Sequence, residues 1–355
     1  MPPMIHELLT EMKQKGGSDL HIAPDYPILM RIHGDLTAQH PEPLTAERAE
    51  VWFRDLLSDR LSRELDQNGE VDFSIEVPGV TRARANLFQT ENGLRGAFRS
   101  IPEDIPSADD LNLPDSIRAI TNLRSGLVLV TGPTGSGKST TLAAIINEIN
   151  EEREAHIITI EDPIEFVHPP KKALVTQRAV GEHAPSFTRA IRDAGREDPD
   201  IILVGEMRDL DTIEQALTCA EFGILVLGTL HTNSAAKTVD RIIDSFPSDR
   251  QSQVRSMLAE SLRTVVAQRL LKTKDGKGRC AVFEVLVVNS ACSNLIREGK
   301  TSHLASVMQT GTQSGMQTMD QALADRVMTG DIALEAALEL AKDPDTLRRV
   351  ANGQA

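Results

Sequence analysis

The sequence predicts an α/β protein with a mainly parallel sheet, preceded by a small α+β module and followed by a helical region. Apolar runs alternate with stretches of helical spacing in the middle of the chain, at residues 127–130, 157–160, 201–204 and 224–227. Such nearly continuous apolar runs are typical of strands that are buried on both faces of a parallel sheet. Two prolines within residues 101–106 mark a linker before this part of the chain. No strand-like run follows Ser290, which predicts helices to the end.

The first 100 residues are predicted to form the α+β module. Apolar residues at helical spacing predict a helix over residues 5–15, and two glycines at 16 and 17 end it. A second helical pattern begins at Thr45 and runs to about Leu65. Strands are predicted from alternating or short apolar segments between turn residues, at 19–22, 28–33, 71–77, 81–88 and 94–100.

Composition and charge restrict the class of protein. The 355 residues carry 38 Lys and Arg against 52 Asp and Glu, a net charge of −14, and only 3% are aromatic. Because general affinity for nucleic acid comes from basic residues and stacking rings, no nucleic-acid partner is expected. The three cysteines form no CxxC pair, so no structural zinc site is expected. Neither a secretory signal nor an apolar stretch of about 18 residues is visible, so we expect a cytoplasmic protein.

Residues 132–139 match the phosphate-loop pattern G-x-x-x-x-G-K-[ST] in full. The apolar run 127–130 precedes them and a helical pattern follows, which is the strand–loop–helix context that the motif needs. Backbone N–H groups and the helix N-terminus would bind phosphate, Lys138 would reach the β- and γ-phosphates, and Ser139 would be a ligand of Mg²⁺. The predicted cofactor-binding residues are Gly132, Pro133, Thr134, Gly135, Ser136, Gly137, Lys138, Ser139 and Thr140.

Acidic residues and a histidine follow the other predicted strands. Because ligands bind at the carboxyl ends of parallel strands, Glu206 is expected beside the phosphate loop, where it would orient the attacking water. At least one of Glu161, Asp162 and Glu165 is expected to contact the metal or its water. His231 would sense the γ-phosphate or only hydrogen-bond the loop. The general base is one of Glu161, Glu165 and Glu206; Glu206 is favoured, with Glu161 and Asp162 nearer the metal.

Arginines of the N-terminal module offer positive charge to a nucleotide. Period-2 alternation places Arg82 and Arg84 on the same face of one predicted strand, and Arg99 lies on or near the last one. Phosphoryl transfer gains from an arginine that stabilises charge in the transition state, often supplied by another subunit. A face of solvated arginines is the alternative, and the spacing does not decide between contacts within and between subunits.

Several segments together resemble the type II/IV secretion ATPases, and most nearly the PilT-like retraction ATPases of type IV pili. These segments are the phosphate loop at 130–141, two acidic segments at 159–168 and 196–209, a histidine segment at 228–237, and residues 17–21 and 315–320. The resemblance covers nearly the whole chain, and the order of the segments is specific to this family.

The resemblance implies a PAS-like domain at residues 1–100, a linker at 101–115, a RecA-like ATPase core at 116–289 and a helical region at 290–355. It also implies a homohexamer that binds ATP and Mg²⁺ between the two domains, with Arg82, Arg84 and Arg99 reaching the phosphates. Rotation of the domains would act on an inner-membrane pilus platform protein and drive retraction. The chain would then be peripheral at the cytoplasmic face of the inner membrane, held there through its partners.

Two features place the chain within the family. Assembly and type II secretion ATPases usually carry a four-cysteine zinc site, so the absence of CxxC favours retraction. The retraction signature Ala-Ile-Arg-Asn-Leu-Ile-Arg-Glu stands here at residues 291–298, with Cys292 and Ser293 in place of Ile and Arg. The alternatives are a PilU-like accessory retraction ATPase, a type II secretion or pilus assembly ATPase, or a nucleotide-binding module that only scaffolds a partner. A RecA-like nucleic-acid translocase is a further alternative, against which the net charge of −14 and the few aromatic residues argue.

Overall fold

The computed structural model describes residues 3–32, 34–101 and 104–351. They divide into two compact units. The first unit consists of the described residues within 1–104 together with 163–167, and the second of those within 105–162 and 168–355. The described residues leave out 1–2, His33, Pro102, Glu103 and 352–355. The first predicted domain, the strand predicted at 28–33, the predicted linker and the predicted helical region therefore lie partly outside them.

The described residues of the first unit form one antiparallel sheet and three helices. The helices are α1 (Pro3–Gln14), α2 (Ala46–Arg54) and α3 (Asp59–Asn68). The strands are β1 (Gly17–Ile22), β2 (Ile28–Ile32), β3 (Asp35–His40), β4 (Glu70–Val77), β5 (Thr81–Thr90) and β6 (Gly93–Ile101). Their order is β3-β2-β1-β6-β5-β4, and each neighbouring pair is antiparallel.

One face of this sheet is buried against the helices. Phe53 of α2 and Phe98 of β6 are fully buried, with their ring centroids 6.3 Å apart. Ala83 of β5 belongs to the same core. Because side chains alternate along a strand, its neighbours Arg82 and Arg84 lie on the opposite face.

The structure differs from two expectations for the first unit. The single helix predicted from Thr45 to Leu65 is two helices, because Ser58 Oγ accepts the N–H of Leu61 and begins α3 as a new N-cap. Strand β3 was not predicted, since nearly all of its side chains are exposed and no apolar alternation marks it.

The second unit is built on a sheet of order β13-β12-β7-β11-β10-β8-β9. The strands are β7 (Gly126–Thr131), β8 (His156–Glu161), β9 (Leu174–Ala179), β10 (Ile201–Val204), β11 (Leu225–Leu230), β12 (Leu262–Lys272) and β13 (Arg279–Val287). β12 and β13 are antiparallel, whereas every other neighbouring pair is parallel. The helices up to β12 are α4 (Asp115–Arg118), α5 (Lys138–Glu152), α6 (Phe187–Ala194), α7 (Leu210–Glu221), α8 (Ala235–Asp244) and α9 (Gln251–Ser261).

Both faces of the central strands are buried, which explains the continuous apolar runs in the sequence. On β7, Leu127 and Leu129 belong to the core layer that contains α6–α9. Their neighbours Val128 and Val130 belong to the opposite layer, which contains α5. The four predicted strands are β7, β8, β10 and β11. The edge strand β9 and the pair β12–β13 are additional, and polar residues interrupt the apolar pattern in each.

The described residues after β13 form helices: α10 (Ser290–Arg297), α11 (Leu304–Thr310), α12 (Met319–Met328), α13 (Leu334–Leu338) and α14 (Pro344–Ala351). Gln317 of this region makes an isolated antiparallel bridge to Val285 of β13. Across the described part of the chain, no helix is both long and apolar enough to span a bilayer.

Candidate active site

The phosphate loop connects the fully buried strand β7 to helix α5, which begins at Lys138. Three of its glycines, Gly132, Gly135 and Gly137, have positive φ angles of 148°, 77° and 87°. Residues that carry a side chain rarely adopt positive φ angles, whereas glycine does so readily. The glycines therefore let the loop curl back around its own backbone N–H groups. A Cβ atom on Gly132 would also lie 2.4 Å from the backbone oxygen of Gln268 on β12.

The polar side chains of the loop fit a bound phosphate. Lys138 Nζ donates to the backbone oxygens of Gly132 and Pro133, at 2.9 and 3.1 Å, and so lies across the loop. The Ser136 hydroxyl is buried and has no hydrogen-bond partner within the described chain. A buried hydroxyl of this kind needs an acceptor or donor from a ligand or water. Ser139, in the first turn of α5, is exposed at the helix N-terminus.

Glu206 and His231 lie at the carboxyl ends of adjacent strands. β10 pairs in parallel with β11, and β11 lies between β10 and the strand β7 that leads into the phosphate loop. His231 Nε2 is 2.8 Å from Glu206 Oε1, and Arg208 Nε is 2.6 Å from the same oxygen. The structure therefore brings together the three polar groups that follow these two strands.

Arg208 and His231 act together on the carboxyl of Glu206. Burial raises the pKa of the Glu206 carboxyl, but hydrogen bonds and charge from Arg208 and His231 lower it by more. The pKa therefore lies below its ordinary value, and the carboxylate is ionised at neutral pH. An ionised carboxylate at this place can accept a proton from water or orient a water molecule.

Glu161 is the last residue of β8 and Asp162 follows it, and the end of β8 is next to that of β10. Glu161 Oε1 accepts hydrogen bonds from Thr159 Oγ1 at 2.7 Å and from Gln177 Nε2 at 3.3 Å, which fixes its carboxylate at the strand end. No group of three or more His, Cys, Asp or Glu in the described ranges could hold a metal ion by itself. Hydroxyl, carboxylate, phosphate and water oxygens are ligands that suit Mg²⁺, and the roles of Ser139, Glu161 and Asp162 toward this ion stay a prediction.

Glu165 and the three predicted arginines belong to the first unit. Arg84 and Arg99 are directly opposite each other on β5 and β6, on the face that Arg82 shares. We call Arg82, Arg84 and Arg99 the arginine face. Whether this face and Glu165 contact the nucleotide stays a prediction.

Two ion pairs and partial burial restrict the side chains of the arginine face. Arg99 Nε donates to Asp19 Oδ1 at 2.8 Å, Arg84 lies 3.5 Å from Asp72, and two nitrogens of Arg82 are buried without a hydrogen-bond partner in the described chain. The sequence predicts no role for Asp19, although it lies within residues 17–21, which contribute to the family resemblance. The cross-strand partner of Arg99 could not be read from the sequence.

Comparison with known proteins decides the family. The family model described as type II/IV secretion system protein matches residues 1–339. The chain belongs to the type II/IV secretion system protein family. Among its relatives in this family, a twitching motility protein of Neisseria gonorrhoeae is 51% identical over 340 residues, which are 96% of this chain and 91% of the relative.

Two further members support the same placement. The type IV pilus retraction ATPase PilT of Pseudomonas aeruginosa is 48% identical over 341 residues, covering 96% of this chain and 99% of the relative. A crystal structure of the pilus retraction motor PilT with bound ADP superposes with a TM-score of 0.89 at 45% identity, covering 97% and 99% of the two chains. The predicted resemblance to PilT-like retraction ATPases and the predicted fold class are therefore confirmed.

Proposed function

We propose that this protein is an ATP-hydrolysing motor that drives the retraction of type IV pili. The observation that carries the proposal is the Glu206 carboxylate, held 2.8 Å from His231 at the strand ends beside a complete phosphate loop. Full-length similarity to a pilus retraction ATPase supports the reading of this site as an ATPase site. The same site accounts for both nucleotide binding and activation of water.

In the proposed mechanism the phosphate loop and the N-terminus of α5 bind the ATP phosphates, and Lys138 neutralises the β- and γ-phosphates. Glu206 orients the attacking water and accepts its proton, with Glu161 and Glu165 as the alternative bases. Glu206 is hydrogen-bonded to His231, which follows β11, so a change at Glu206 when the γ-phosphate binds would be transmitted to that strand. Mg²⁺, which neutralises charge developing on the phosphates, would be held by Ser139 with Glu161 and Asp162 through its water shell.

The arginine face has a distinct role in the proposal. Arg82, Arg84 and Arg99 would contact the phosphates from within the subunit or from a neighbour in a homohexamer, and stabilise charge in the transition state. Arg99 is exposed over most of its side chain, and its pairing with Asp19 orders the guanidinium group. Rotation of the domains during the ATP cycle would act on the inner-membrane platform protein of the pilus. The motor would therefore work at the cytoplasmic face, held by its partners.

The substituted signature segment bears on the accessory alternative. Cys292, in α10, is fully buried in the core, so its exchange for a longer apolar side chain changes packing. Ser293 is half-buried, so loss of an arginine there changes a partly accessible surface. The alternatives are a PilU-like accessory ATPase and an assembly or type II secretion ATPase; the sparse cysteines disfavour the latter.

The deciding experiment is pilus retraction in cells whose only copy of the protein carries Glu206→Gln. We expect abundant surface pili that no longer retract and a loss of twitching, because the amide does not accept a proton from water. A matched control is Glu64→Gln, which removes only an exposed ion pair with Arg60 on α3. Unchanged retraction in the Glu206→Gln cells would show that another ATPase drives retraction.

A further inference from the structure

Gln268 is a buried polar side chain on β12, the strand beside β7, and only 3% of it is exposed. We propose that Gln268 is a positioning residue that holds the phosphate loop in the shape that binds phosphate. The inference rests on the proposed function in one respect, which is that the ligand of the loop is a nucleotide. Gln268 lies outside the phosphate-loop motif and is 132 residues away from its partner Ser136 in the sequence.

Both ends of the Gln268 amide are bonded to the loop and to the helix that follows it. Nε2 donates to the backbone oxygen of Ser136 at 2.7 Å. Oε1 accepts from the hydroxyl of Thr141, in the first turns of α5, at 2.9 Å. Because a backbone carbonyl only accepts hydrogen bonds, the amide nitrogen must face Ser136, which fixes the orientation of the amide. The side chain therefore joins the loop and α5 to the central sheet.

The bond to Ser136 determines the direction of the next backbone donor. In a trans peptide the C=O and N–H groups point in opposite directions. Since the Ser136 carbonyl points to Gln268, the N–H of Gly137 points away from it. Backbone N–H groups of such a loop are the donors that a phosphate meets, so Gln268 selects the orientation of one of them.

Close packing leaves the loop little room beside β12. A Cβ atom on Gly132 would lie 2.4 Å from the backbone oxygen of Gln268, and one on Gly137 would lie 2.9 Å from its Nε2. Two glycines of the motif thus lie directly against this one residue. The buried hydroxyl of Ser136, which has no hydrogen-bond partner among the described residues, belongs to the same group.

A purely structural role would also explain a hydrogen-bonded buried glutamine, and the two roles differ in what they predict. If Gln268 only stabilises the fold, its loss lowers the melting temperature but leaves nucleotide affinity unchanged well below that temperature. If it positions the loop, its loss weakens nucleotide binding even in a fully folded protein. The dissociation constant for ADP is therefore the measurement that separates the two roles.

The test compares full-length Gln268→Met with wild type by calorimetric titration with ADP and Mg²⁺. Methionine has a similar length but neither donates to Ser136 nor accepts well from Thr141. We expect the dissociation constant for ADP to rise by about tenfold or more, as for the loss of buried hydrogen bonds. The matched control is Val265→Ala on the same strand, which removes buried packing in the opposite core layer, that of α6–α9, and should keep the wild-type affinity.

If folded Gln268→Met binds ADP with an affinity within about twofold of that of wild type, this inference is wrong and the proposed function is unaffected. If Gln268→Met does not fold, Thr141→Val decides. It removes the hydroxyl that orients the amide, so a raised dissociation constant supports positioning and an unchanged one contradicts it. A wild-type protein that binds no ADP would overturn the proposed function, and this inference with it.

Discussion

His231 Nε2 lies 2.8 Å from Glu206 Oε1, across the ends of two adjacent parallel strands. The same carboxylate oxygen is 2.6 Å from Arg208 Nε, so one oxygen of the proposed base has two nitrogen partners. A base held in this way stays ionised, but its bonds must rearrange when it accepts a proton. The pairing therefore predicts how turnover depends on pH and on Arg208.

Replacing Arg208 with alanine should shift the acidic limb of the turnover–pH profile to higher pH. Burial raises the pKa of Glu206 and Arg208 opposes it, so without Arg208 the pKa rises and the carboxylate is protonated at a higher pH. The measurement is steady-state ATP turnover from pH 5 to 8. Arg208→Lys keeps the charge and should keep the wild-type limb. Identical profiles for the alanine and lysine variants would contradict this account.

Lys138→Ala should weaken ADP binding by about 10- to 100-fold, because charge-assisted hydrogen bonds to phosphate are lost. Turnover should fall below detection. Lys300→Ala, which removes only an exposed ion pair with Glu298, is the control and should bind ADP as wild type does. ADP titration of the two variants checks the prediction. Equal affinities would show that the loop is not the nucleotide site.

Gly132→Ala should destabilise the protein by about 3 kcal/mol and abolish ADP binding, because the new methyl group combines backbone strain with a clash. The φ angle of Gly132 is 148°, and its Cβ would meet the Gln268 backbone at 2.4 Å. Gly276→Ala is a matched control, since Gly276 also has positive φ but has open space around it. That variant should cost about 1 kcal/mol and bind ADP normally. Similar losses in the two variants, measured by urea unfolding, would contradict the role of the close contact.

His168 should make the protein less stable in acid. Burial lowers its pKa to about 4, helped by the charge of Lys171, and its Nδ1 is buried without a hydrogen-bond partner in the described chain. The folded pKa is below the unfolded value, so stability present above about pH 6.5 is lost as the pH falls toward 4.

Between pH 7 and 4.5, wild type should lose about 2–3 kcal/mol more of its free energy of unfolding than His168→Gln, which does not titrate. Urea unfolding at the two pH values measures the difference. Parallel losses in the two proteins would show that His168 is not the group responsible.

Alanine variants of the arginine face should lower ATP turnover by about tenfold or more if these residues stabilise the transition state. Each of Arg82, Arg84 and Arg99 is changed alone, and ADP affinity and oligomer size are measured beside turnover. Arg60→Ala, which removes an exposed pair with Glu64 on α3, serves as the control. Wild-type turnover in all three variants would leave the solvated-surface alternative as the explanation.

Local pattern in the sequence determined the phosphate loop and most of the central sheet. The loop is recognisable because strand, glycines, Lys138 and helix are contiguous, so neighbouring residues carry the whole signal. The strands β7, β8, β10 and β11 are recognisable because burial on both faces demands uninterrupted apolar residues. The family resemblance rests on the same kind of contiguous segments, and Glu206 is predictable because it stands two residues after the end of one of these strands.

Only the tertiary structure decided which distant side chains meet. Gln268 contacts Ser136 and Thr141 because β12 is paired with β7, and no local pattern encodes that pairing. The partner of Arg99 is likewise Asp19, 80 residues earlier in the chain. Local patterns reflect propensity and burial within one element, whereas these contacts depend on strand order and register. Strand order and register are set by packing of the whole unit. The distant residues that shape the site can therefore be identified only from the tertiary structure.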